Sequence, residues 1–206
     1  MKMKNQILKV LKKTSQLALV LLLAVSIANC SKDDAPAAQS NPPAAAAEQN
    51  PLAGFLTASG FNQATTTLTS VNGAERGLSF RPLVDGKMTA IVIKTPFART
   101  GIRVRIWDKT NGNLLRTEGV DIATANVETT KVIEALNLIK DTEYIICFNV
   151  NNIYVHEKTN GSDAAYPFTI GDIKVTGYYQ GQANDGIPTA SVLKFYSGDC
   201  SFKFQK

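Results

Sequence analysis

The sequence predicts an all-β domain over residues 52–206, an antiparallel β-sandwich of immunoglobulin-like or jelly-roll type. Three observations predict it. Short segments alternate apolar and polar residues with a period of two, which is the pattern of a half-buried strand. Turn residues separate these segments about every ten residues. After the first 30 residues no long segment keeps the 3.6-residue period of a helix. Strands at this spacing with few helices are typical of a sandwich or barrel.

The clearest element is a hairpin in the middle of the domain. Residues 102–107 alternate strictly, with Ile102, Val104 and Ile106 on one face. The following turn, residues 108–113, has an Asn-Gly core, and the chain returns through residues 114–117. The other predicted strands are, in chain order, 78–80, 88–93, 127–136, 143–150, 154–156, 172–179, 192–196 and 200–204.

The first 29 residues have the features of a bacterial export signal. Five lysines and no acidic residue fall in the first thirteen positions, and a mostly apolar run follows over residues 17–28. A membrane-spanning helix is the alternative interpretation. It needs roughly 20 apolar residues, and this run ends sooner, at Asn29.

The signal ends in Ile27-Ala28-Asn29-Cys30, which resembles a bacterial lipobox. The resemblance implies that Cys30 is acylated and becomes the first residue of the mature chain, which is then held in the outer membrane by its lipid. The next residues resemble the acidic signal that sends Bacteroidetes lipoproteins to the cell surface: Ser31, Lys32, Asp33 and Asp34. A position facing the periplasm is the alternative.

The sequence therefore predicts three parts: a signal peptide over 1–29, a lipidated disordered tether over 30–51, and the sandwich over 52–206. The tether is rich in Ala, Pro and Asn and has nothing large to bury. Removing the signal changes the charge, because it holds five of the 22 basic residues and none of the 17 acidic ones. The mature chain is close to neutral, which argues against nucleic-acid binding.

Two cysteines remain in the mature chain, Cys147 and Cys200. Export permits a disulfide between them. The alternation predicts that Cys147 faces away from the apolar side of its strand while Cys200 shares the face of two phenylalanines. Buried free thiols are therefore expected, with the disulfide as the alternative.

Several short motifs resemble an uncharacterised β-sandwich domain of bacterial extracellular proteins. They are Glu75-Arg76-Gly77-Leu78-Ser79-Phe80, Thr100-Gly101 through Ile106-Trp107-Asp108, Asp141-Thr142-Glu143-Tyr144, and Phe195-Tyr196-Ser197-Gly198-Asp199-Cys200-Ser201-Phe202. That family often accompanies carbohydrate-active and adhesive modules. The resemblance supports the fold more than any activity.

The sequence contains few residues or motifs that are typical of an enzyme active site. The chain has a single histidine, His156, expected to be an ordinary strand residue, and it lacks the nucleophile-elbow, zinc-protease and phosphate-loop motifs. We expect no enzymatic activity and no cofactor. A hydrolase with two carboxylates is the third hypothesis, since such pairs are defined by distance in space.

Aromatic residues are the better candidates for a ligand site. Alternation puts Trp107 on one face with Arg103 and Arg105, where an indole could stack on an arginine or on a sugar ring. Two predicted loops, 158–167 and 178–186, combine aromatic rings with amides and carboxylates. Their candidate residues are Tyr166, Tyr178, Tyr179, Asn184 and Asp185. Turn composition alone is the competing explanation.

Asp163, Asn184 and Asp185 also supply the oxygen ligands that calcium prefers, so a structural calcium ion is a secondary hypothesis. The leading functional hypothesis is a surface module that binds extracellular glycan or mediates adhesion. The alternative is an accessory subunit of an envelope assembly, which contacts another envelope protein through an apolar patch or a sheet edge.

Overall fold

A computed structural model describes residues 47–69, 73–181 and 186–206, and it confirms the predicted all-β antiparallel architecture. One helix is described, α1 (Pro51–Ser59). The strands in the described residues are β1 (Ala64–Leu68), β2 (Glu75–Pro82), β3 (Gly86–Lys94), β4 (Arg99–Asp108), β5 (Asn113–Ile122), β6 (Thr129–Leu138), β7 (Tyr144–Asn149), β8 (Ile153–Glu157), β9 (Phe168–Ile170), β10 (Ile173–Gly181), β11 (Ala190–Ser191), β12 (Phe195–Ser197) and β13 (Asp199–Gln205).

The largest sheet has the strand order β11-β10-β2-β7-β4-β5, with β9 also pairing with β10. The predicted hairpin is β4–β5, which turns at Gly112. Gly112 has a φ of 78°, a left-handed conformation that glycine adopts without steric cost. The prediction for this hairpin is confirmed, and β4 continues the sheet by pairing with β7 on its other side.

The core lies between this sheet and a three-stranded sheet of order β13-β3-β6. The ring centroids of Phe80 on β2 and Phe202 on β13 are 4.2 Å apart, so the two sheets pack through aromatic contact. The predicted inward residues of β4, Ile102, Val104 and Ile106, are all at most 2% exposed. Alternation along β4 therefore assigned the two faces correctly.

A third sheet, of order β1-β8-β12, and the helix complete the domain. Helix α1 was not predicted, because two apolar turns carry no amphipathic period that a sequence could display. Its start is set by Asn50, whose side chain accepts the Leu52 N–H, and Gly60 ends it at a φ of 79°. Phe55 of the helix is fully buried and packs against four aromatic rings, those of Phe61, Tyr166, Phe168 and Tyr196.

The chain enters the domain beside the last strand. Gln49 forms an antiparallel bridge with Phe204, in which each backbone N–H donates to the other carbonyl oxygen. Residues 49–51, which the sequence assigned to the tether, therefore contact the sandwich. The described residues contain no helix long and apolar enough to cross a membrane. The signal peptide and the tether up to residue 46 lie outside the described residues.

Candidate functional site

The outer face of the large sheet carries four of the predicted ligand residues. The register aligns Tyr179 with Gly77, Gly77 with Cys147, and Cys147 with Arg105, so these residues form one row across four strands. Trp107 and Arg103 flank Arg105 on the same side of β4. Sequence reasoning predicted the β4 set, and the fold brings Tyr179 to the same face.

These side chains are half-buried and engaged within the chain. Arg103 pairs with the carboxylate of Glu75, which is 1% exposed. The Trp107 Nε1 is buried, and the indole lies close to the Cys147 thiol. Burial raises the pKa of Cys147 to about 12, with a further contribution from the charge of Glu75. Trp107 is thus a packed side chain in this face and not a freely exposed platform.

A cluster of polar groups fixes the neighbouring part of that face around Glu143. Its carboxylate accepts hydrogen bonds from Arg81 Nη2 at 2.7 Å, Lys109 Nζ at 2.9 Å and Ser79 Oγ at 2.7 Å. Burial alone would raise the pKa of Glu143, but these donors together lower it to about 2. The same Lys109 Nζ lies 3.8 Å from the centroid of the Tyr179 ring. The Tyr179 ring therefore already has a cationic partner.

Two further candidates lie inside the protein. Tyr178 is 1% exposed, and its hydroxyl donates to the Ser197 carbonyl at 3.0 Å. The prediction that Tyr178 belongs to an exposed loop is wrong, because β10 extends to Gly181 and directs this ring into the core. Tyr166 stacks on Phe55 with centroids 5.9 Å apart, and burial raises the pKa of its hydroxyl. Tyr166 therefore packs against the core beside helix α1.

The remaining candidates are the lipidation and export-signal residues and the possible calcium ligands. Cys30 and the export-signal residues, Ser31, Lys32, Asp33 and Asp34, lie outside the described residues, as do Asn184 and Asp185. Asp163 is described, and its carboxylate lies 3.2 Å from Lys194 Nζ. Within the described ranges no group of three or more His, Cys, Asp or Glu side chains could hold a metal ion. The calcium hypothesis therefore gains no support from Asp163. Cys147 and Cys200 are both buried free thiols. Cys147 lies on the outer face of the sheet and is nevertheless buried, because neighbouring side chains cover it.

A pocket of about 190 Å³ opens at one end of the sandwich. It lies between the β3–β4 loop and the β7–β8 loop. Its lining residues are Thr95, Phe97, Ala98, Arg99, Val150 and Asn152. Phe97 is 46% exposed, the largest exposure of any described phenylalanine, and Arg99 beside it is also exposed.

Hydrogen bonds hold the Phe97 loop in place. The buried Thr95 hydroxyl donates to the Phe97 carbonyl at 2.7 Å, and the Asn126 N–H donates to the Thr95 carbonyl at 2.9 Å. Asn126 itself accepts a hydrogen bond from the Tyr154 hydroxyl, and Lys94 Nζ lies 5.3 Å from the centre of the Tyr154 ring. The exposed ring of Phe97 is therefore carried by a loop whose backbone is fixed from β8 and from the β5–β6 loop.

The opposite wall is fixed from β2. Arg76 is 6% exposed, and its Nη1 donates to the carbonyl oxygens of Ala74 at 3.0 Å and Val150 at 3.2 Å. Burial lowers the pKa of Arg76, partly offset by Tyr178 and Glu75. The pocket thus combines the exposed ring of Phe97, an amide side chain from Asn152 and nearby cationic groups, in a region that sequence reasoning did not select.

The histidine lies in a separate buried array. His156 Nε2 is 2.6 Å from Asp199 Oδ1, and its Nδ1 is 3.1 Å from Thr65 Oγ1. If Nε2 donates to the carboxylate, Nδ1 accepts from the threonine hydroxyl. None of the three residues lines the pocket. The array joins β1 and β8 of one sheet to β13 of another, which agrees with the structural role expected for this histidine.

The sequence held one signal for the pocket. Residues 94–99 read Lys-Thr-Pro-Phe-Ala-Arg directly after an apolar strand. Proline ends the strand, and a large aromatic next to it in a short loop has no strand face on which to be buried.

Comparison with known proteins adds no assignment. The chain matches no protein-family model, and no curated protein matches it. The resemblance to an extracellular sandwich family therefore stays a prediction.

Proposed function

We propose that this chain is an outer-membrane lipoprotein, anchored through Cys30 and facing the cell exterior, whose sandwich binds extracellular glycan at the Phe97 pocket. The observation that carries the proposal is the exposed Phe97 ring beside Asn152 in a concave site. An aromatic face matches the C–H face of a pyranose, and amides hydrogen-bond to its hydroxyl groups. Pockets with an apolar platform and a few convergent polar groups are the usual form of a small-ligand site.

The pocket and the point where the described chain joins the sandwich lie at different ends of β3. Gln49 bridges Phe204, and Phe204 pairs with Met88 near the start of β3. The pocket begins at Thr95, just after β3 ends. Seven residues of strand separate the two levels, a distance of roughly 23 Å. Within the sandwich, the pocket therefore lies about the length of β3 from the point where the described chain begins to pair with β13.

Glycan-array screening of the full-length chain in detergent tests the binding. We expect signals that Phe97→Ala removes and that Trp107→Phe, a conservative change on the outer sheet face, retains. Absence of any glycan signal for the wild-type chain would contradict the proposal. Loss of binding in Trp107→Phe but not in Phe97→Ala would move the site to the outer sheet face.

The anchoring is tested separately. Incorporation of labelled palmitate should require Cys30, so Cys30→Ala should lose the label. Protease treatment of intact cells should then remove the domain from the wild-type chain. A labelled chain that is protected from protease would place the lipoprotein on the periplasmic side.

A second function, an accessory subunit of an envelope assembly, is favoured by one observation. β6 is an edge strand of the small sheet, and its Val132 is 78% exposed. Exposed edges and apolar side chains favour association. Cross-linking in membranes with Val132→Lys as the variant tests it. A stoichiometric partner lost on this change would support the second function.

A further inference from the structure

Arg99 differs from the other arginines of the domain. Arg76, Arg81, Arg103 and Arg116 make hydrogen bonds or ion pairs, and Arg105 also interacts within the chain. Arg99 is exposed at the pocket, and within residues 47–69, 73–181 and 186–206 no hydrogen bond or ion pair engages its guanidinium. A guanidinium with no partner among the described residues, next to an exposed aromatic ring, can bind an external anion.

Cationic side chains line the pocket or lie next to its lining. Among the described lining residues, Arg99 is the only charged one. The Arg76 guanidinium donates to the carbonyl oxygen of the lining residue Val150. Lys94 precedes the lining residue Thr95 and lies beside Tyr154. These cationic groups favour an anion at the pocket, because a small concave site with low-dielectric walls strengthens the interaction.

The acidic residues on neighbouring strands and loops form no described ion pair with Arg99. Asp199 opposite Lys94 is 7% exposed and interacts with His156. Asp121 accepts the Gly101 N–H at 2.6 Å. Glu128 is exposed in the β5–β6 loop and forms no described ion pair. None of these carboxylates lines the pocket.

From this geometry we infer that the pocket selects a terminal sugar that carries a negative charge, a carboxylate or a sulfate. The inference rests on the proposed glycan-binding function. Phe97 takes the apolar face of the ring, the Arg99 fork binds the anion through two N–H groups, and Asn152 contacts a hydroxyl. The volume of about 190 Å³ is below the roughly 300 Å³ at which pockets for larger ligands begin, so it suits one terminal residue of a chain.

Calorimetric titration of the full-length chain with matched oligosaccharides tests the inference. The probes are galacturonic acid oligomers, their methyl esters, which have the same rings without charge, and sulfated galactose oligomers. We expect the acidic oligomers to bind at least about tenfold more tightly than the methyl esters, since a charge-assisted hydrogen bond contributes this much. Raising the salt concentration should reduce the difference.

Arg99→Gln should abolish the preference for the acidic oligomers and leave binding of the methyl esters unchanged. Lys87→Gln is the matched control, because it removes one positive charge from an exposed residue at the other end of β3. Equal binding of acid and ester by the wild-type chain, or the same loss in Lys87→Gln, would overturn charge selection but leave glycan binding standing. Binding of neither would overturn the proposed function as well. Arg99-dependent binding of the sulfated oligomers identifies sulfate as an accepted anion.

Discussion

Two regions of this sandwich combine aromatic and cationic residues, and they differ in how those residues are used. On the outer face of the large sheet, Arg103 is paired with Glu75, and Lys109 lies over Tyr179. At the pocket, Phe97 and Arg99 are exposed, and the described contacts hold the backbone of their loop rather than their side chains. The same residue types stabilise the fold in one place and remain available to a ligand in the other.

The difference follows from where each residue lies in its element. A side chain in the middle of a wide sheet has neighbours on both sides, so its charge and ring are satisfied by cross-strand partners. A side chain in a loop at the end of the sandwich has neighbours beneath it only. The first arrangement favours stability and the second favours recognition.

The largest expected effect concerns the outer face. Trp107→Ala should lower the free energy of unfolding by about 3 kcal/mol, because it removes a large half-buried ring over Cys147. Phe97→Ala is the matched control and should change stability by less than about 0.5 kcal/mol, as expected for a surface side chain. Urea denaturation of both variants measures the contrast. Similar losses in the two would show that the regions do not differ in this way.

A slightly smaller effect is expected at the polar cluster. Glu143→Gln should cost about 2 kcal/mol, because Arg81 and Lys109 lose a charged acceptor. Exposed Glu128, changed to Gln, provides the control and should have little effect.

The Glu143 carboxylate should also make the free energy of unfolding depend on pH. The pKa of Glu143 is lowered from 4.5 to about 2 in the folded chain, so the folded state binds fewer protons than the unfolded state between these values. Its contribution is fully present above the unfolded pKa of 4.5 and is lost as the pH falls toward 2. Denaturation at a series of pH values should show a weaker acid dependence for Glu143→Gln than for the wild type. If stability changed with pH in the same way in both proteins, the lowered pKa of Glu143 would be contradicted.

The smallest effect is expected in the loop that carries Phe97. Thr95→Val removes the buried hydroxyl that donates to the Phe97 carbonyl and should cost about 1 kcal/mol of stability. It should also weaken glycan binding several-fold, because the ring is less well positioned. Thr130→Val, on the exposed side of β6, is the control. Unchanged binding in Thr95→Val would show that the loop is positioned by its other contacts.

Much of the fold could be predicted because strand periodicity is a local property. The inward set of β4 and the turn at Gly112 follow from neighbouring residues alone. Helix α1 could not be predicted in the same way, since its burial comes from rings distant in sequence such as Tyr166 and Tyr196. Short β1 and β9 escaped for a similar reason, because they are defined by their partners β8 and β10.

The site was harder to predict than the fold. Sequence composition cannot show whether an aromatic ring is covered by other side chains. In the structure Tyr178 is buried and Phe97 is exposed, so Phe97 and not Tyr178 is the candidate for ligand binding. Tyr178 stands next to a glycine, and the β10–β2 register shifts between Val175 and Gly177, which breaks the simple alternation that would have assigned its face. Phe97 lies in a loop for which no period exists, so its exposure depends on the three-dimensional arrangement of the β7–β8 loop beside it.

The most direct measurement compares glycan binding by Phe97→Ala and Trp107→Phe in the full-length chain, with both variants first shown to be folded. If the pocket is the binding site, Phe97→Ala loses at least about tenfold in affinity, the loss expected for a central aromatic contact, and Trp107→Phe keeps the wild-type value. A wild-type affinity in Phe97→Ala, together with a loss in Trp107→Phe, would contradict the assignment of recognition to the end of the sandwich.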